Sequence, residues 1–225
     1  MELSVIAHMK SDFPTKFGLP RQSGLVNDLR SYVVFEKNYA NPDALRGIEG
    51  FSHIFLIWGF SEVHREGWSP TVRPPRLGGN VRMGVFATRS PYRPNPIGLS
   101  CVKLLSVICD ERGLRLEVSG ADLMDGTPIY DIKPYLPFAD SHPEATGGFA
   151  DPVRADTLTV VLPDEWLAVI PPDKKEGLLG VLRGDPRPSY HNDPTRIYGF
   201  VFAGMEVRFR VEDSILTVCE VIPCA

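Results

Sequence analysis

The first 135 residues or so divide into short segments rich in β-branched and aromatic residues, separated by glycine, proline, asparagine and aspartate. Such segments are typical of strands, and their separators are typical of turns. Seven segments fit: ELSVIAHM, SYVVFEK, FSHIFLIWGF, VRMGVFAT, IGLSCVKLLSVIC, GLRLEVSG and PIYDIKP. Because many short strands leave exposed edges unless the sheet closes, the pattern predicts a mainly β fold built on a closed or nearly closed antiparallel β-barrel.

Two of these segments predict local geometry as well. A hairpin turn is expected at residues 111 to 113, where the strand after it alternates Leu114, Leu116 and Val118 with polar residues. This alternation gives one buried and one solvent-facing side. FSHIFLIWGF is apolar on both faces, and we therefore expect it in the interior.

The composition changes between residues 138 and 156, which are polar and rich in glycine, alanine and proline. We interpret this stretch as a connection between a barrel domain at 1–145 and a smaller α+β domain at 146–225. The second domain is predicted to hold a strand in DTLTVVL, helices in PDEWLAVI and DKKEGLLGVLR, a hairpin in RIYGFVFAGMEVRFRV and a last strand in SILTVCEV.

Composition limits the class of protein further. With 43% hydrophobic residues, the 225-residue chain can bury a core without disulfides. No apolar run approaches the ~20 residues of a membrane helix, and the N-terminus lacks a signal-peptide pattern, so we expect a cytoplasmic protein. The cysteines and histidines show no zinc-binding spacing, and no metal is expected. Cys101 and Cys109 lie in strand-like segments and are predicted to be buried thiols.

Residues 87 to 100, ATRSPYRPNPIGLS, combine three prolines with two arginines. Each proline fixes φ and removes an amide donor, and the residue before it is pushed toward an extended conformation, so the loop should be stiff. A stiff loop loses little entropy when it meets a ligand, and it can hold Arg89 and Arg93 for recognition of phosphate or carboxylate. A structural crossover between strands would fit the same composition.

The charge distribution is uneven. The net charge is −4, yet residues 65 to 93 contain six arginines and one acid, Glu66. Such a segment can attract nucleic acid, although a solvated basic surface would have the same composition.

A further stretch, residues 119 to 135, carries Asp131 and Lys133, which share one face of a strand because they are two residues apart. They could form a simple ion pair or an acid–base pair in a cleft. The polar loop GLPRQSGLV at residues 18 to 26 is a candidate ligand loop. The sequence has no GxGxxG after a strand, no P-loop and no GxSxG, which argues against a Rossmann dinucleotide site, a P-loop NTPase and an α/β-hydrolase.

Three stretches, PRQSG, TVRPPRLGGNVRMGVFATRSPYRPNPIGLS and DLMDGTPIYDIKPYLPFAD, resemble the TsaA-like family in order and spacing. DPRPSY followed by a hairpin resembles the smaller C-terminal unit of its bacterial members. The resemblance implies an antiparallel barrel that binds S-adenosylmethionine outside the Rossmann-like methyltransferases. It also implies methylation of the exocyclic amine of N6-threonylcarbamoyladenosine beside the tRNA anticodon, by a homodimer with its cofactor near the subunit interface.

The resemblance also implies site residues. Cofactor contacts are expected at Gln22, Ser23, Gly24, His64, Arg89, Leu99, Ser119, Gly120, Ala121 and Asp122. RNA or substrate contacts are expected at Arg65, Arg73, Arg76, Arg82, Arg93 and Asn95. The catalytic residues are assigned from residue type instead. Asp131 is the candidate base that accepts the proton of the amine, with Lys133 or Tyr135 as its orienting partner; the carboxylate of the substrate or an ordered water is the alternative.

Two other functions remain open. The chain could methylate another RNA or a small molecule, or it could bind RNA without catalysis and retain a cofactor pocket.

Overall fold

The structure is a computed structural model that describes residues 2–62, 67–74, 77, 79–150, 157–187 and 193–224. The strands of its first part are β1 (Ala7–Lys10), β2 (Arg30–Phe35), β3 (His53–Gly59), β4 (Thr71–Val72), β5 (Met83–Gly84), β6 (Ile97–Asp110), β7 (Gly113–Ser119) and β8 (Pro128–Pro134). Six of them close into an antiparallel barrel in the order β1-β2-β7-β6-β3-β8, with β8 paired to β1. The predicted barrel is confirmed.

Strand alternation determines what fills the barrel. On β3, Ile54, Leu56 and Trp58 are buried in the barrel core, whereas Phe55 and Ile57 point outward and are half-buried. The prediction that FSHIFLIWGF is interior therefore holds for one of its faces. The hairpin predicted at residues 111 to 113 is confirmed, because β6 ends at Asp110 and β7 begins opposite it at Gly113.

Two sequence predictions are wrong. VRMGVFAT is not a long core strand: β5 covers only two residues, pairs with β4 outside the barrel, and leads into a 3-10 turn at Val85–Ala87. Of this segment only Val85 is buried, so it lacks the row of apolar side chains that would fix a core strand. Cys109 is exposed, because β6 at that point runs toward the hairpin, and Cys101 is only half-buried.

The second part of the chain forms an α+β unit, as predicted. Its elements follow a short helix α1 (Pro137–Asp140) and are β9 (Thr159–Val161), α2 (Asp164–Leu167), α3 (Lys175–Arg183), β10 (Tyr198–Phe202), β11 (Met205–Glu212) and β12 (Ile215–Pro223). The sheet order is β10-β11-β12-β9, with β9 parallel to β12. Further 3-10 turns lie at Pro42–Leu45, Ile48–Gly50, Gly148–Ala150 and Pro172–Lys174.

The segment between β1 and β2 packs into the core of the C-terminal unit rather than into the barrel. Phe13, Val26 and Leu29 belong to that second core, and the ring of Phe13 lies 5.2 Å from that of Phe202. An ion pair of 2.7 Å between Asp12 and Lys174 supports the same contact. We retain a division at residue 145 as a proposal, but the N-terminal part supplies core residues to the C-terminal unit.

Replacement of Phe13 by alanine should reveal this shared core. The ring is 2% exposed, so its removal leaves a cavity, and we expect the free energy of unfolding to fall by about 3–5 kcal/mol. Phe17 lies in the same segment but is 55% exposed, and Phe17→Ala should change it by no more than about 0.5 kcal/mol. Urea unfolding of both variants measures the difference; similar losses would contradict the shared core.

Candidate active site

The loop between β1 and β2 and the loop between β7 and β8 are joined by backbone hydrogen bonds. The amide of Gly24 donates to the carbonyl of Gly120 at 2.8 Å, and the amide of Gly120 donates to the carbonyl of Leu29 at 3.0 Å. Gly120 has φ of +75°, and a Cβ on it would lie 3.3 Å from the amide nitrogen of Gly24. A side chain there would be strained and crowded, so the contact depends on glycine.

Asp122 lies beside this contact and is held from inside the barrel. The Ser100 hydroxyl donates to Asp122 Oδ1 at 2.6 Å and accepts from the indole nitrogen of Trp58 at 3.0 Å. Ser100 and Trp58 are both buried. The backbone amide of Ser23 donates to the same carboxylate, which ties Asp122 to the loop at residues 22 to 24.

A guanidinium completes the cluster. Arg89 donates to Gln22 Oε1 and lies close enough to Asp122 to stabilise its charge. The Arg89 side chain is exposed, whereas Asp122 is half-buried. The arrangement therefore combines a fixed carboxylate with a solvent-facing cation.

Burial raises the pKa of Asp122 above its usual range. The hydrogen bond from Ser100, the backbone amides of Asp122 itself and Ser23, and the charge of Arg89 oppose this rise. The Asp122 carboxylate is thus partly desolvated and is already surrounded by hydrogen-bond donors. Such a carboxylate is suited to bind a polar or cationic group of a ligand.

Most of the predicted cofactor residues come together here. Gln22, Ser23, Gly24, Arg89, Ser119, Gly120, Ala121 and Asp122 belong to the two loops and the start of the proline-rich segment. Ser119 is buried and donates its hydroxyl to the carbonyl of Asn27. His64 lies outside the described residues.

Leu99 and the predicted catalytic residues lie on the outer face of the barrel instead. Leu99 is exposed, and on this face it pairs with Ile57, which in turn pairs with Asp131 on β8. Asp131 and Lys133 form an ion pair of 3.0 Å between partly exposed side chains. The Tyr135 ring packs 5.6 Å from that of Phe55. Leu99 thus shares a face with Asp131, and it directly precedes Ser100, whose hydroxyl donates to Asp122.

Of the predicted RNA-contact residues that the structure describes, Arg73 and Arg82 lie between β4 and β5, and Arg93 and Asn95 lie in the loop before β6. Arg82 donates to Thr71 Oγ1 at 3.0 Å, and Arg93 donates to the carbonyls of Thr88 and Ser90. Arg73 and Asn95 are exposed. Arg65 and Arg76 lie outside the described residues.

Sequence reasoning missed Ser100 and Trp58, the buried pair behind Asp122. Alternation along IGLSC could have placed Ser100 inside the barrel, where a hydroxyl needs a partner. Its acceptor is 22 residues away along the chain. Nothing in the local pattern indicates that pairing.

Among the residues that the structure describes, no group of three histidine, cysteine, aspartate or glutamate side chains is placed to hold a metal ion. Within the same residues, no helix combines the length and apolar character required to cross a membrane.

The raised pKa of Asp122 has a measurable consequence for stability. The folded chain binds this proton more tightly than the unfolded chain, so the contribution of Asp122 to stability is largest below the unfolded pKa near 4 and is lost as the pH rises through the folded pKa. The free energy of unfolding of the wild type minus that of Asp122→Asn should therefore fall as the pH rises above about 4.

Asp110 provides a control of opposite sign. Its hydrogen bond with Arg115 lowers its pKa to about 2. The free energy of unfolding of the wild type minus that of Asp110→Asn should therefore rise between about pH 2 and about pH 4. Urea unfolding at a series of pH values measures both differences. A flat difference for Asp122 above pH 4 would contradict its desolvation.

Comparisons with known proteins agree with the sequence resemblance. Residues 8–141 match the family model of the tRNA-methyltransferase O N-terminal domain, and residues 170–224 match that of the TrmO C-terminal domain. A tRNA (adenine(37)-N6)-methyltransferase of Escherichia coli K12 is 42% identical over 217 residues, which cover 93% of this chain and 92% of that one.

A relative from Pyrococcus abyssi, named as a probable S-adenosyl-L-methionine-binding protein, is 37% identical over 60% of this chain and 68% of its own. The crystal structure of TrmO from Pseudomonas aeruginosa superposes with a TM-score of 0.77 at 31% identity, covering 98% of each chain. The two family models and the match to the Escherichia coli relative over most of both chains support the same assignment. The chain belongs to the TrmO family of tRNA methyltransferases.

Proposed function

We propose that this chain transfers a methyl group from S-adenosylmethionine to the exocyclic amine of adenine 37 in tRNA, when that base carries an N6-threonylcarbamoyl group. The observation that carries the proposal is that candidate cofactor residues from three separate segments meet around Asp122. The name of the Escherichia coli relative supports the position and the amine.

The residues of the cluster fit the chemistry of S-adenosylmethionine. The cofactor carries an ammonium group and ribose hydroxyls that a carboxylate such as Asp122 can bind, and a carboxylate that suits the guanidinium of Arg89. A Cβ on Gly24 would meet no atom within 4 Å, so a ligand can approach its backbone closely, and exposed Leu99 offers an apolar surface. When bound, the cofactor supplies a methyl group attached to a positively charged sulfur.

The reaction also releases the N–H proton of the target amine, which a base must accept. The target nitrogen is conjugated to the purine and to a carbamoyl group, so its N–H bond has to break as the methyl group is transferred. Asp131 Oδ2 is the proposed acceptor, and the Lys133 ammonium 3.0 Å away orients that carboxylate. The substrate's own carboxylate or a water would take the proton if Asp131 does not.

Strand spacing supports this assignment. Asp131, Ile57 and Leu99 lie opposite one another on the neighbouring strands β8, β3 and β6. Because neighbouring strands are about 4.8 Å apart, the backbones of Asp131 and Leu99 are roughly 10 Å apart on one face. Because Leu99 precedes Ser100, the hydrogen-bond donor of Asp122, a cofactor bound at the Asp122 cluster can extend to this face and present its methyl group near Asp131.

The proposal includes a homodimer and a cytoplasmic location. The outer face of the barrel carries Phe55, Ile57 and Leu99, which remain partly or largely exposed in a single chain. Apolar surface of this kind is typical of a contact between copies. The cytoplasmic location follows from tRNA as the substrate.

The proposal is tested by incubating the purified chain with methyl-labelled S-adenosylmethionine and tRNA from cells that lack this activity. Mass spectrometry of the nucleosides should find the label on N6-threonylcarbamoyladenosine. Arg89→Ala should weaken cofactor binding about tenfold or more in calorimetry, because it removes a charged partner. The control Arg112→Ala removes an equal charge from the β6–β7 turn. Label on another molecule, or binding without transfer, would overturn the proposal.

Asp131→Asn tests the proton acceptor, since asparagine retains the shape of aspartate but is not basic. We expect the single-turnover rate at saturating cofactor and tRNA to fall by about 10²–10⁴, with cofactor affinity unchanged. Asp110→Asn is the control, because Asp110 is also paired with a cation on an exposed strand end. A rate within a few-fold of wild type would leave Asp131 as an ion-pair partner only.

A further inference from the structure

Two aromatic side chains on the arginine-rich segment lie stacked in solvent. The rings of Trp68 and Phe86 are 6.1 Å apart with an interplanar angle of 25°. Trp68 is 50% exposed and Phe86 is 71% exposed, and neither belongs to a core cluster. Large apolar groups left in water at one place indicate a surface that meets a partner.

The backbone around the pair is fixed. Strands β4 and β5 pair between the two aromatic residues, and the amide of Val85 donates to the carbonyl of Pro70 at 3.0 Å. Val85 itself is buried and anchors the turn that carries Phe86. A pair held on an anchored hairpin requires little ordering when a partner binds.

The surrounding charge identifies the partner. Residues 67 to 93 contain five arginines and no acidic residue. A second copy of the same segment would bring cations against cations, whereas RNA offers phosphates to the arginines and flat bases to the rings. Phe86 is also three residues from Arg89, which is no more than about 10 Å of extended chain.

We propose that Trp68 and Phe86 form a stacking platform for an unpaired base of the tRNA anticodon loop, next to the base that is methylated. This rests on the proposed function. The base extends the aromatic stack on its exposed side, while Arg73 and Arg82 on the same hairpin contact the flanking phosphates. The rings thereby fix the position of the loop relative to the cofactor residues, independently of base identity.

The test separates stacking from charge. Trp68→Ala and Phe86→Ala should each weaken tRNA binding about 5- to 100-fold without changing cofactor affinity, and Trp68→Phe should retain most of the binding. Because stacking releases no counterions, the dependence of log affinity on log salt should keep the wild-type slope in these variants. Arg82→Ala should instead make this slope shallower, by about the amount that one phosphate contact contributes. Tyr39→Ala, which removes an exposed ring elsewhere on the barrel, is the matched control.

A direct readout is available in the same samples. An anticodon stem-loop with 2-aminopurine beside the target base should lose fluorescence on binding wild type, and less on binding Trp68→Ala. Aromatic variants that match Tyr39→Ala in affinity and fluorescence would overturn the platform. Sedimentation velocity should find wild type and Trp68→Ala at the same mass, expected to be twice that of one chain; dissociation of the variant would assign the patch to a contact between copies and also overturn it.

The outcome for wild type separates this inference from the function it rests on. If wild type neither binds nor methylates tRNA, both the function and the platform fail. If wild type methylates tRNA and the aromatic variants bind it equally well, only the platform fails.

Discussion

The candidate site depends on one segment that the C-terminal unit holds at both ends and the barrel holds in the middle. Residues 22 to 24 reach Asp122 and Arg89, yet the apolar residues on either side of them, Leu19 and Val26, pack against the core of the C-terminal unit. The backbone contact between Gly24 and Gly120 then fixes the loop to the barrel. Because both ends are packed, the entropy of ordering this loop is lost on folding rather than on ligand binding.

The register of β6 decides where each part of the site lies. Ser100 points inward to support Asp122, while its neighbour Leu99 points outward to the face that carries Asp131. A slip of one residue would exchange these roles, leaving Asp122 without its buried donor and a leucine against it. The bond from Trp58 to Ser100 opposes such a slip, because a buried indole N–H that loses its acceptor costs about 1–3 kcal/mol.

Alternation and turn chemistry predicted the barrel strands and the tight turn at residues 111 to 113, since these depend on residues close in sequence. The same reasoning failed for VRMGVFAT, where strand-forming residues have no core to face. It could join neither Ser100 to Asp122 nor Phe13 to Phe202, because those contacts arise only when distant segments pack. The cofactor residues that cluster were placed by resemblance, which carries long-range information that a single pattern lacks.

The stiffness of the proline-rich loop has a second source beyond its prolines. Proline lacks an amide donor, so a loop with three of them has fewer N–H groups to satisfy its own carbonyls. Arg93 compensates: its guanidinium donates to the carbonyls of Thr88 and Ser90 at 3.1 and 3.3 Å. One arginine of the loop thus stabilises the backbone, which holds Arg89 at the edge of the Asp122 cluster. Both bonds start from Nη1. Because a guanidinium has five donors, Arg93 can keep this role and still offer its other N–H groups to a phosphate.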